Sequence, residues 1–175
     1  MKIRDKAFEK FIKAEDISKR IKAMSSEICA DYKDKEPLFI AILNGSFMFA
    51  ADLMKEVDIS AKISFVKVAS YTEMESSGNV KQLIGLNEPI FKKDVVVIED
   101  IVDTGKTMKQ IVDEFNSLGA SSVEIISLLR KPESLVEEIE VKYVGFDIPN
   151  KFVVGYGLDY DGLGRNLKDI YQLKG

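Results

Sequence analysis

The sequence predicts an α/β fold with a mainly parallel central sheet and helices on its faces. Residues 38–43 and 95–98 are continuous apolar runs, typical of strands that are buried on both faces. A helical pattern follows each run, and the order strand, helix, strand favours parallel pairing. A length of 175 residues, without a repeat or a linker-like segment, predicts one domain spanning 1–175.

Three helices are predicted from apolar residues that recur at helical spacing. Their core-facing residues are expected to be, in chain order, Ile17, Ile21, Met24 and Ile28; Phe47, Ala50, Ala51 and Met54; and Met108, Ile111, Val112, Phe115 and Leu118. Gly119 supplies a stop signal for the third helix, because glycine readily adopts the left-handed conformation that ends helices.

Further strands are predicted at residues 63–68 and 123–129, with short strands at 143–146 and 152–155 on either side of Pro149. Residues 70–82 are polar and show no periodicity. Such a segment is either a surface hairpin tip or a mobile lid over a functional site, and the pattern alone leaves both open.

The chain contains no histidine. This excludes Ser-His-Asp and Cys-His catalysis, zinc bound by histidine, and any acid–base step on an imidazole. If the protein is an enzyme, its proton transfers must use carboxylates, lysine, tyrosine or the substrate itself.

Composition also bounds the compartment and the partners. The single cysteine, Cys29, has no partner for an internal disulfide, which favours the reducing cytoplasm. The first residues lack the apolar core of a signal peptide, and no apolar stretch approaches the ~20 residues needed to span a bilayer. A net charge of −4 argues against nonspecific nucleic-acid binding.

The most informative segment joins the strand at 95–98 to the following helix. From residue 97 it reads Val-Ile-Glu-Asp-Ile-Val-Asp-Thr-Gly-Lys-Thr. In open α/β sheets ligands bind beyond the carboxyl ends of the strands, and a helix start offers free N–H groups to a phosphate. Residues 104–107 can therefore bind one phosphate through main-chain amides and hydroxyl groups.

The acids before this turn distinguish it from a P-loop. A P-loop requires glycine five residues before the glycine that precedes its lysine, and here that position is Asp100. Glu99 and Asp100 would repel nucleotide phosphates but suit sugar hydroxyls or Mg²⁺. A strand-end turn without function would explain either acid alone, but not the ordered set. The segment is therefore typical of a site for a ribose with a 5′-phosphate.

This segment resembles the phosphoribosyl pyrophosphate motif of the type I phosphoribosyltransferases, and other segments narrow the resemblance to the hypoxanthine-guanine enzymes. Residues 43–46 resemble the pyrophosphate loop of that family, and Ser70 and Tyr71 resemble the opening of its flexible active-site loop, about 70–82. Residues 128–131, 144–149, 151–160 and 165–167 resemble its purine-recognition region, about 130–165. The resemblance covers nearly the whole chain in the expected order.

The resemblance implies the type I phosphoribosyltransferase fold with a small hood region. It also implies purine salvage, in which the 5-phosphoribosyl group passes from phosphoribosyl pyrophosphate to N9 of hypoxanthine, guanine or both. The products would be IMP or GMP and pyrophosphate. Mg²⁺ is the implied cofactor. A cytoplasmic homodimer or homotetramer that binds neither nucleic acid nor membranes is the implied form.

The resemblance also implies roles for individual residues. Asp103 would accept a proton near purine N7, and Lys131 would bind the oxygen on purine C6, which favours 6-oxopurines over adenine. The implied sets are Glu99, Asp100, Asp103, Thr104, Gly105, Lys106 and Thr107 for phosphoribose; Lys131, Phe152, Val153 and Asp159 for purine; Asn44, Gly45, Ser70, Tyr71 and Arg165 for pyrophosphate; and Glu99, Asp100 and Asp159 for Mg²⁺.

Two alternatives stay open at this stage. A preference for xanthine depends on contacts near purine C2. A regulator that keeps the fold but senses nucleotides or binds RNA would need a basic surface, which a net charge of −4 opposes. Gly164 and Lys168 stand where many members of the family have an aromatic residue and proline, so a looser loop is expected around Arg165.

Overall fold

The computed structural model describes residues 1–68 and 83–175, which form two β-sheets and three α-helices. The helices are α1 (Ala14–Asp31), α2 (Phe47–Glu56) and α3 (Lys106–Ser117). The strands are β1 (Lys2–Ile3), β2 (Lys6–Ile12), β3 (Leu38–Leu43), β4 (Lys62–Val68), β5 (Leu83–Ile84), β6 (Asp94–Val102), β7 (Ser122–Arg130), β8 (Tyr143–Asp147), β9 (Val153–Val154) and β10 (Ile170–Leu173). A 3₁₀ turn spans Pro132–Ser134.

The larger sheet has the strand order β5-β4-β3-β6-β7-β8. Neighbouring strands from β4 to β8 pair in parallel, and β5 pairs antiparallel at the edge, which confirms the predicted mainly parallel sheet. Side chains of β3 alternate between two apolar clusters, with Phe39 packing towards α1 and α2 and Ile40 packing towards α3. Because both faces are covered, the strand reads as a continuous apolar run.

The smaller sheet is antiparallel and has the order β1-β2-β10-β9, so it joins the two ends of the described chain. The sequence predicts a strand near β9 but gives no signal for β1, β2 or β10. In β2 only Phe8 and Ile12 are buried among seven residues, so the alternation of polar and apolar residues is too weak to predict a strand. The core of this sheet is small and centres on Ile3, Phe8 and Val154.

The predicted core-facing residues of α1 are confirmed, and those of the third helix are confirmed except Leu118, which is 46% exposed. In α2 the prediction is right at Ala50 and Met54, which pack in the core, and wrong at Phe47 and Ala51. Phe49, Ala50 and Leu53 are the buried residues of α2, whereas Phe47 is 42% exposed. Apolar residues occupy almost every position of this helix, so periodicity does not select a face. Packing against the sheet determines which face of α2 is buried.

The parallel arrangement brings four strand ends together. Strands β3, β6, β7 and β8 finish at the same edge of the sheet, and the segments that follow them carry most of the predicted site residues. The predicted loop about 70–82, including Ser70 and Tyr71, lies outside the described residues. Within residues 1–68 and 83–175, none of the helices combines the length and the apolar character required to cross a bilayer.

Candidate active site

The turn between β6 and α3 is shaped by Gly105. This residue adopts φ 81°, which side chains rarely accept, and a Cβ atom there would lie 3.1 Å from Cδ1 of Ile139. The turn and the adjoining strand line a cavity of about 140 Å³ that includes Glu99, Asp103 and Thr107. Main-chain N–H groups at the start of α3 make this end of the helix favourable for a phosphate.

The predicted phosphate-binding residues differ in exposure. Thr104 and Lys106 are exposed, Thr107 is half-buried, and Gly105 is buried. The carbonyl oxygen of Thr104 accepts a hydrogen bond from the N–H of Val136, at 3.1 Å, which fixes the turn against the segment that follows β7. The structure therefore brings residues 103–107 together as one turn around the cavity.

Glu99 and Asp100 form an acidic pair at the end of β6. The Glu99 carboxylate accepts a hydrogen bond from the N–H of Asp100, at 3.0 Å, and Asp100 accepts one from Ile101, at 2.8 Å. Burial raises the pKa of Glu99 well above its usual range, and the negative charge of Asp100 raises it further. A cation or sugar hydroxyls beside Glu99 would favour its charged form.

The loop after β3 lies directly against this acidic pair. The peptide bond between Leu43 and Asn44 is cis. A side chain at Gly45 would overlap the Asp100 carboxylate, so only glycine leaves the carboxylate where it is. The hydroxyl of buried Ser46 donates a hydrogen bond to the Ile42 carbonyl, at 2.6 Å, and ties the loop to its strand. The predicted pyrophosphate loop and ribose acids are therefore neighbours.

Asp103 and Lys131 form an ion pair across the ends of β6 and β7. The distance from Nζ of Lys131 to Oδ2 of Asp103 is 2.8 Å. Lys131 is buried, whereas the Asp103 side chain is 47% exposed. The main-chain N–H of Lys131 donates a hydrogen bond to the Val102 carbonyl, at 2.9 Å, which aligns the two strand ends. A buried ammonium group beside a more exposed carboxylate offers a donor and an acceptor to one edge of a ligand.

Asn150 is a residue of this region that the sequence reasoning missed. Its side-chain oxygen lies 3.5 Å from Nζ of Lys131, so it helps to hold the lysine in place. Its position directly after Pro149, within the predicted purine-recognition region, is the signal that could have identified it.

Asp159 and Arg165 form a second ion pair. The guanidinium of Arg165 lies 2.6 Å from Oδ1 of Asp159 and donates a hydrogen bond to the Gly157 carbonyl, at 2.7 Å. A side chain at Gly157 would overlap the carbonyl oxygen of Gly45, so this loop packs against the one after β3. Gly164, before Arg165, has φ 98°, a conformation that suits glycine better than an aromatic residue.

Val153 begins β9 of the smaller sheet, and Phe152 directly precedes it. The Phe152 ring is 42% exposed and forms an edge-on contact with Tyr160, at 5.8 Å between ring centres. Nζ of Lys6 lies 5.3 Å from the centre of the Phe152 ring. Val153 is buried in the main core, so its side chain is structural and a role in purine binding would fall to its backbone.

The described residues contain no group of three or more carboxylate or cysteine side chains placed to hold a metal ion together. Glu99 and Asp100 are adjacent, and Asp159 is held separately by Arg165, so the three predicted ligands do not form one cluster. Mg²⁺ usually keeps several waters and takes one or two carboxylates together with substrate oxygens. The Glu99–Asp100 pair and Asp159 fit Mg²⁺ as two separate partial ligand sets.

Comparison with known protein families identifies the fold. The model of the phosphoribosyl transferase domain matches residues 10–161. The chain belongs to the phosphoribosyltransferase family. The resemblance found in the sequence is therefore confirmed.

Two curated relatives of this phosphoribosyltransferase are named hypoxanthine-guanine phosphoribosyltransferase. The one from Staphylococcus epidermidis is 48% identical over 161 residues, which cover 91% of this chain and 90% of the relative. The one from Staphylococcus aureus is 44% identical over 167 residues, which cover 95% of this chain and 93% of the relative.

Solved structures agree with the fold. The hypoxanthine phosphoribosyltransferase of Staphylococcus aureus superposes with a TM-score of 0.88 at 43% identity, covering 95% of this chain and 91% of that chain. The hypoxanthine phosphoribosyl transferase of Trypanosoma cruzi also gives a TM-score of 0.88, at 34% identity, covering 99% of this chain and 95% of that chain. The predicted type I phosphoribosyltransferase fold is confirmed.

We expect Gly45→Ala to remove most phosphoribosyltransferase activity at little cost in stability. The new methyl group would displace the Asp100 carboxylate, which is the mobile end of a side chain, whereas the backbone of Gly45 does not require a positive φ. Steady-state rates and thermal unfolding would be measured together on the purified variant.

Gly119→Ala is the control. Gly119 lies just after the carboxyl end of α3, away from the candidate site, and has φ 80°, so this variant should lose stability, by about 1 kcal/mol, and keep its activity. Full activity in Gly45→Ala would contradict the assignment of this loop to the site.

Proposed function

We propose that this protein is a purine-salvage enzyme that transfers the 5-phosphoribosyl group of phosphoribosyl pyrophosphate to N9 of hypoxanthine, guanine or both. The products are IMP or GMP and pyrophosphate. The observation that carries the proposal is the Asp103–Lys131 ion pair beside the phosphate-binding turn. The names of the staphylococcal relatives support the same activity.

The ion pair matches one edge of a 6-oxopurine. That edge presents the C6 oxygen, which accepts hydrogen bonds, beside N7, which carries a proton in one tautomer of the base. The Lys131 ammonium has only donors, so it suits the oxygen, and the Asp103 carboxylate has only acceptors, so it suits the N7 proton. Adenine would place an amino group against Lys131 and leave donors facing donors, which disfavours adenine.

The reaction breaks the bond between the anomeric carbon of ribose and pyrophosphate and forms the bond from that carbon to N9. As N9 attacks, the base loses its N7 proton to Asp103, and the electron pair of the broken bond leaves on pyrophosphate. Positive charge develops on the ribose in the transition state, and nearby carboxylates stabilise it. Glu99 and Asp100 hold the ribose hydroxyls, and the turn at 103–107 holds the 5′-phosphate.

The departing pyrophosphate is held by the two loops that meet at Gly45. The backbone of Asn44 and Gly45 supplies N–H groups, and the guanidinium of Arg165 supplies paired donors. Because a planar guanidinium has several N–H donors, Arg165 can bind pyrophosphate oxygens while it keeps part of its contact with Asp159. Phe152 stacks on the purine. Ser70 and Tyr71, which lie outside the described residues, remain predicted pyrophosphate contacts.

Mg²⁺ is the proposed cofactor; the Glu99–Asp100 pair and Asp159 would each supply a partial set of ligands, completed by substrate oxygens and water. When bound, it neutralises negative charge on pyrophosphate and makes it a better leaving group.

We further propose that residues 1–175 act as one domain within a cytoplasmic homodimer or homotetramer. The placement of site residues on both sheets supports a single functional unit. One structure of the Trypanosoma cruzi relative concerns the role of its C-terminal region in oligomeric state and enzymatic activity, which supports an oligomeric form.

A product assay tests the function. The protein is mixed with phosphoribosyl pyrophosphate and Mg²⁺, and separately with hypoxanthine, guanine, xanthine or adenine, and the nucleotide formed is measured. We expect IMP, GMP or both. Xanthosine monophosphate as the main product would change the substrate to xanthine, and the absence of nucleotide with every base would end the proposal.

Asp103→Asn should lower kcat by about 100-fold while KM for phosphoribosyl pyrophosphate changes little, because the amide cannot accept the proton from N7. Initial rates at varied substrate concentrations measure both constants. Asp31→Asn is the control, because Asp31 is also a partly exposed carboxylate paired with a lysine, Lys142 at 3.2 Å, but lies away from the candidate site. An equal loss of kcat in the two variants would contradict a catalytic role for Asp103.

Lys131→Met should lower kcat/KM for hypoxanthine by about 10- to 100-fold, because a charge-assisted hydrogen bond to the C6 oxygen is lost. It should lower the value for adenine much less, so the ratio between the two bases is the quantity to measure. Lys142→Met is the control, since Lys142 is also a lysine paired with a carboxylate, Asp31 at 3.2 Å, but lies away from the candidate site. An unchanged ratio in Lys131→Met would exclude Lys131 from base selection.

A further inference from the structure

Two loops are packed without space for side chains between them: the Gly45 loop, which follows β3, and the Gly157 loop, which follows β9. The Gly157 N–H donates a hydrogen bond to the Arg165 carbonyl, at 2.9 Å, and the Gly157 carbonyl accepts one from the Arg165 guanidinium. A Cβ atom on Gly157 would overlap the carbonyl oxygen of Gly45. Any shift of one loop must therefore move the other, and their relative position decides the shape of the pyrophosphate site.

One side chain links the Gly157 loop to the helix that follows the Gly45 loop. Tyr156 is buried, adopts φ 51°, and lies between Gly155 and Gly157, which adopt φ 101° and 100°. Its hydroxyl donates a hydrogen bond to Oδ2 of Asp52 on α2, at 2.5 Å. Such a backbone conformation is unfavourable for tyrosine and persists only where surrounding contacts hold it.

The acceptor is itself held in place. Nζ of Lys55 lies 2.6 Å from Oδ1 of Asp52, so the two oxygens of this carboxylate have separate partners. Asp52 lies in the second turn of α2, and α2 begins directly after residues 44–46. Because a helix is stiff over this length, fixing Asp52 also fixes the start of α2 and the loop before it.

We propose that Tyr156 and Asp52 are positioning residues that hold the two pyrophosphate-binding loops at a fixed separation. They act through Gly157 and through α2 rather than by chemistry on the substrate. Burial and the Asp52 carboxylate raise the pKa of Tyr156, so its hydroxyl stays protonated and remains a donor at neutral pH. The inference rests on the proposed function, because it assigns these loops to pyrophosphate.

A second hydrogen bond between a tyrosine and an aspartate, from Tyr143 to Asp31, serves as a control for the bond from Tyr156 to Asp52. Tyr143 is also buried, and its hydroxyl donates to Oδ2 of Asp31 at 2.6 Å, where Asp31 also pairs with Lys142. Tyr143 begins β8, at the amino end of the parallel strands, whereas the candidate site lies at their carboxyl ends. Removing either hydroxyl deletes the same kind of hydrogen bond, but only Tyr156 lies beside the site.

The experiment compares Tyr156→Phe with Tyr143→Phe in the full chain. We expect Tyr156→Phe to raise KM for phosphoribosyl pyrophosphate and the inhibition constant of pyrophosphate by about tenfold each. A change of this size corresponds to the loss of one hydrogen bond to a charged acceptor. KM for the purine base should stay within about twofold. Tyr143→Phe should lower the melting temperature similarly and leave all three constants near their original values.

Variants of Asp52 give an independent measurement if Tyr156→Phe does not fold. Asp52→Asn keeps an oxygen that accepts the tyrosine hydrogen bond, so it should retain most of the affinity for pyrophosphate, whereas Asp52→Ala should lose it. Equal affinities in these two variants, or a matching rise in KM for the purine base, would overturn the positioning role. Failure of the original protein to form nucleotide would instead overturn the proposed function, so the two failures are distinguishable.

Discussion

The close approach of loops at Gly45 is the constraint on which the candidate site depends. A side chain at position 45 would overlap the Asp100 carboxylate, and the Gly45 carbonyl oxygen lies so close to Gly157 that a side chain there would overlap it. Backbone in contact with backbone cannot adjust as flexible side chains can, so the position of the loop that contains Gly45 and that of the loop that contains Gly157 and Arg165 are set together. The larger sheet makes this possible, because parallel strands end at one edge.

Two cationic side chains of the candidate site are each paired with a carboxylate before a substrate arrives. Buried Lys131 contacts Asp103, and half-buried Arg165 contacts Asp159, so both cations are paired. Unpaired buried charge is costly, and pairing keeps these side chains in place. The absence of histidine fits this arrangement, because carboxylates, lysine, arginine and main-chain amides can supply the required chemistry.

Local spacing in the sequence predicts which residues share the turn after β6, but it does not predict the contacts that other elements bring to the candidate site. Residues 99–107 are contiguous, so their spacing alone places the acids, the turn and the helix start. The contact from Lys131 to Asp103 crosses 28 positions, and that from Tyr156 to Asp52 crosses 104. Such contacts depend on how strands and helices pack, which local patterns do not encode; α2 and the weakly patterned β2 show the same limit.

The pairing of β10 between β2 and β9 has a consequence for the order in which the site assembles during synthesis. The phosphate-binding turn is local, since β6 leads directly into α3. Strand β9, which carries Val153, pairs with β10, and β10 in turn pairs with β2 from the other end of the sequence. Contacts between distant segments form late, because closing a long loop costs entropy. Residues 170–173 must therefore be synthesised before β9 can pair with β10, whereas the turn between β6 and α3 needs only residues that are close in the sequence.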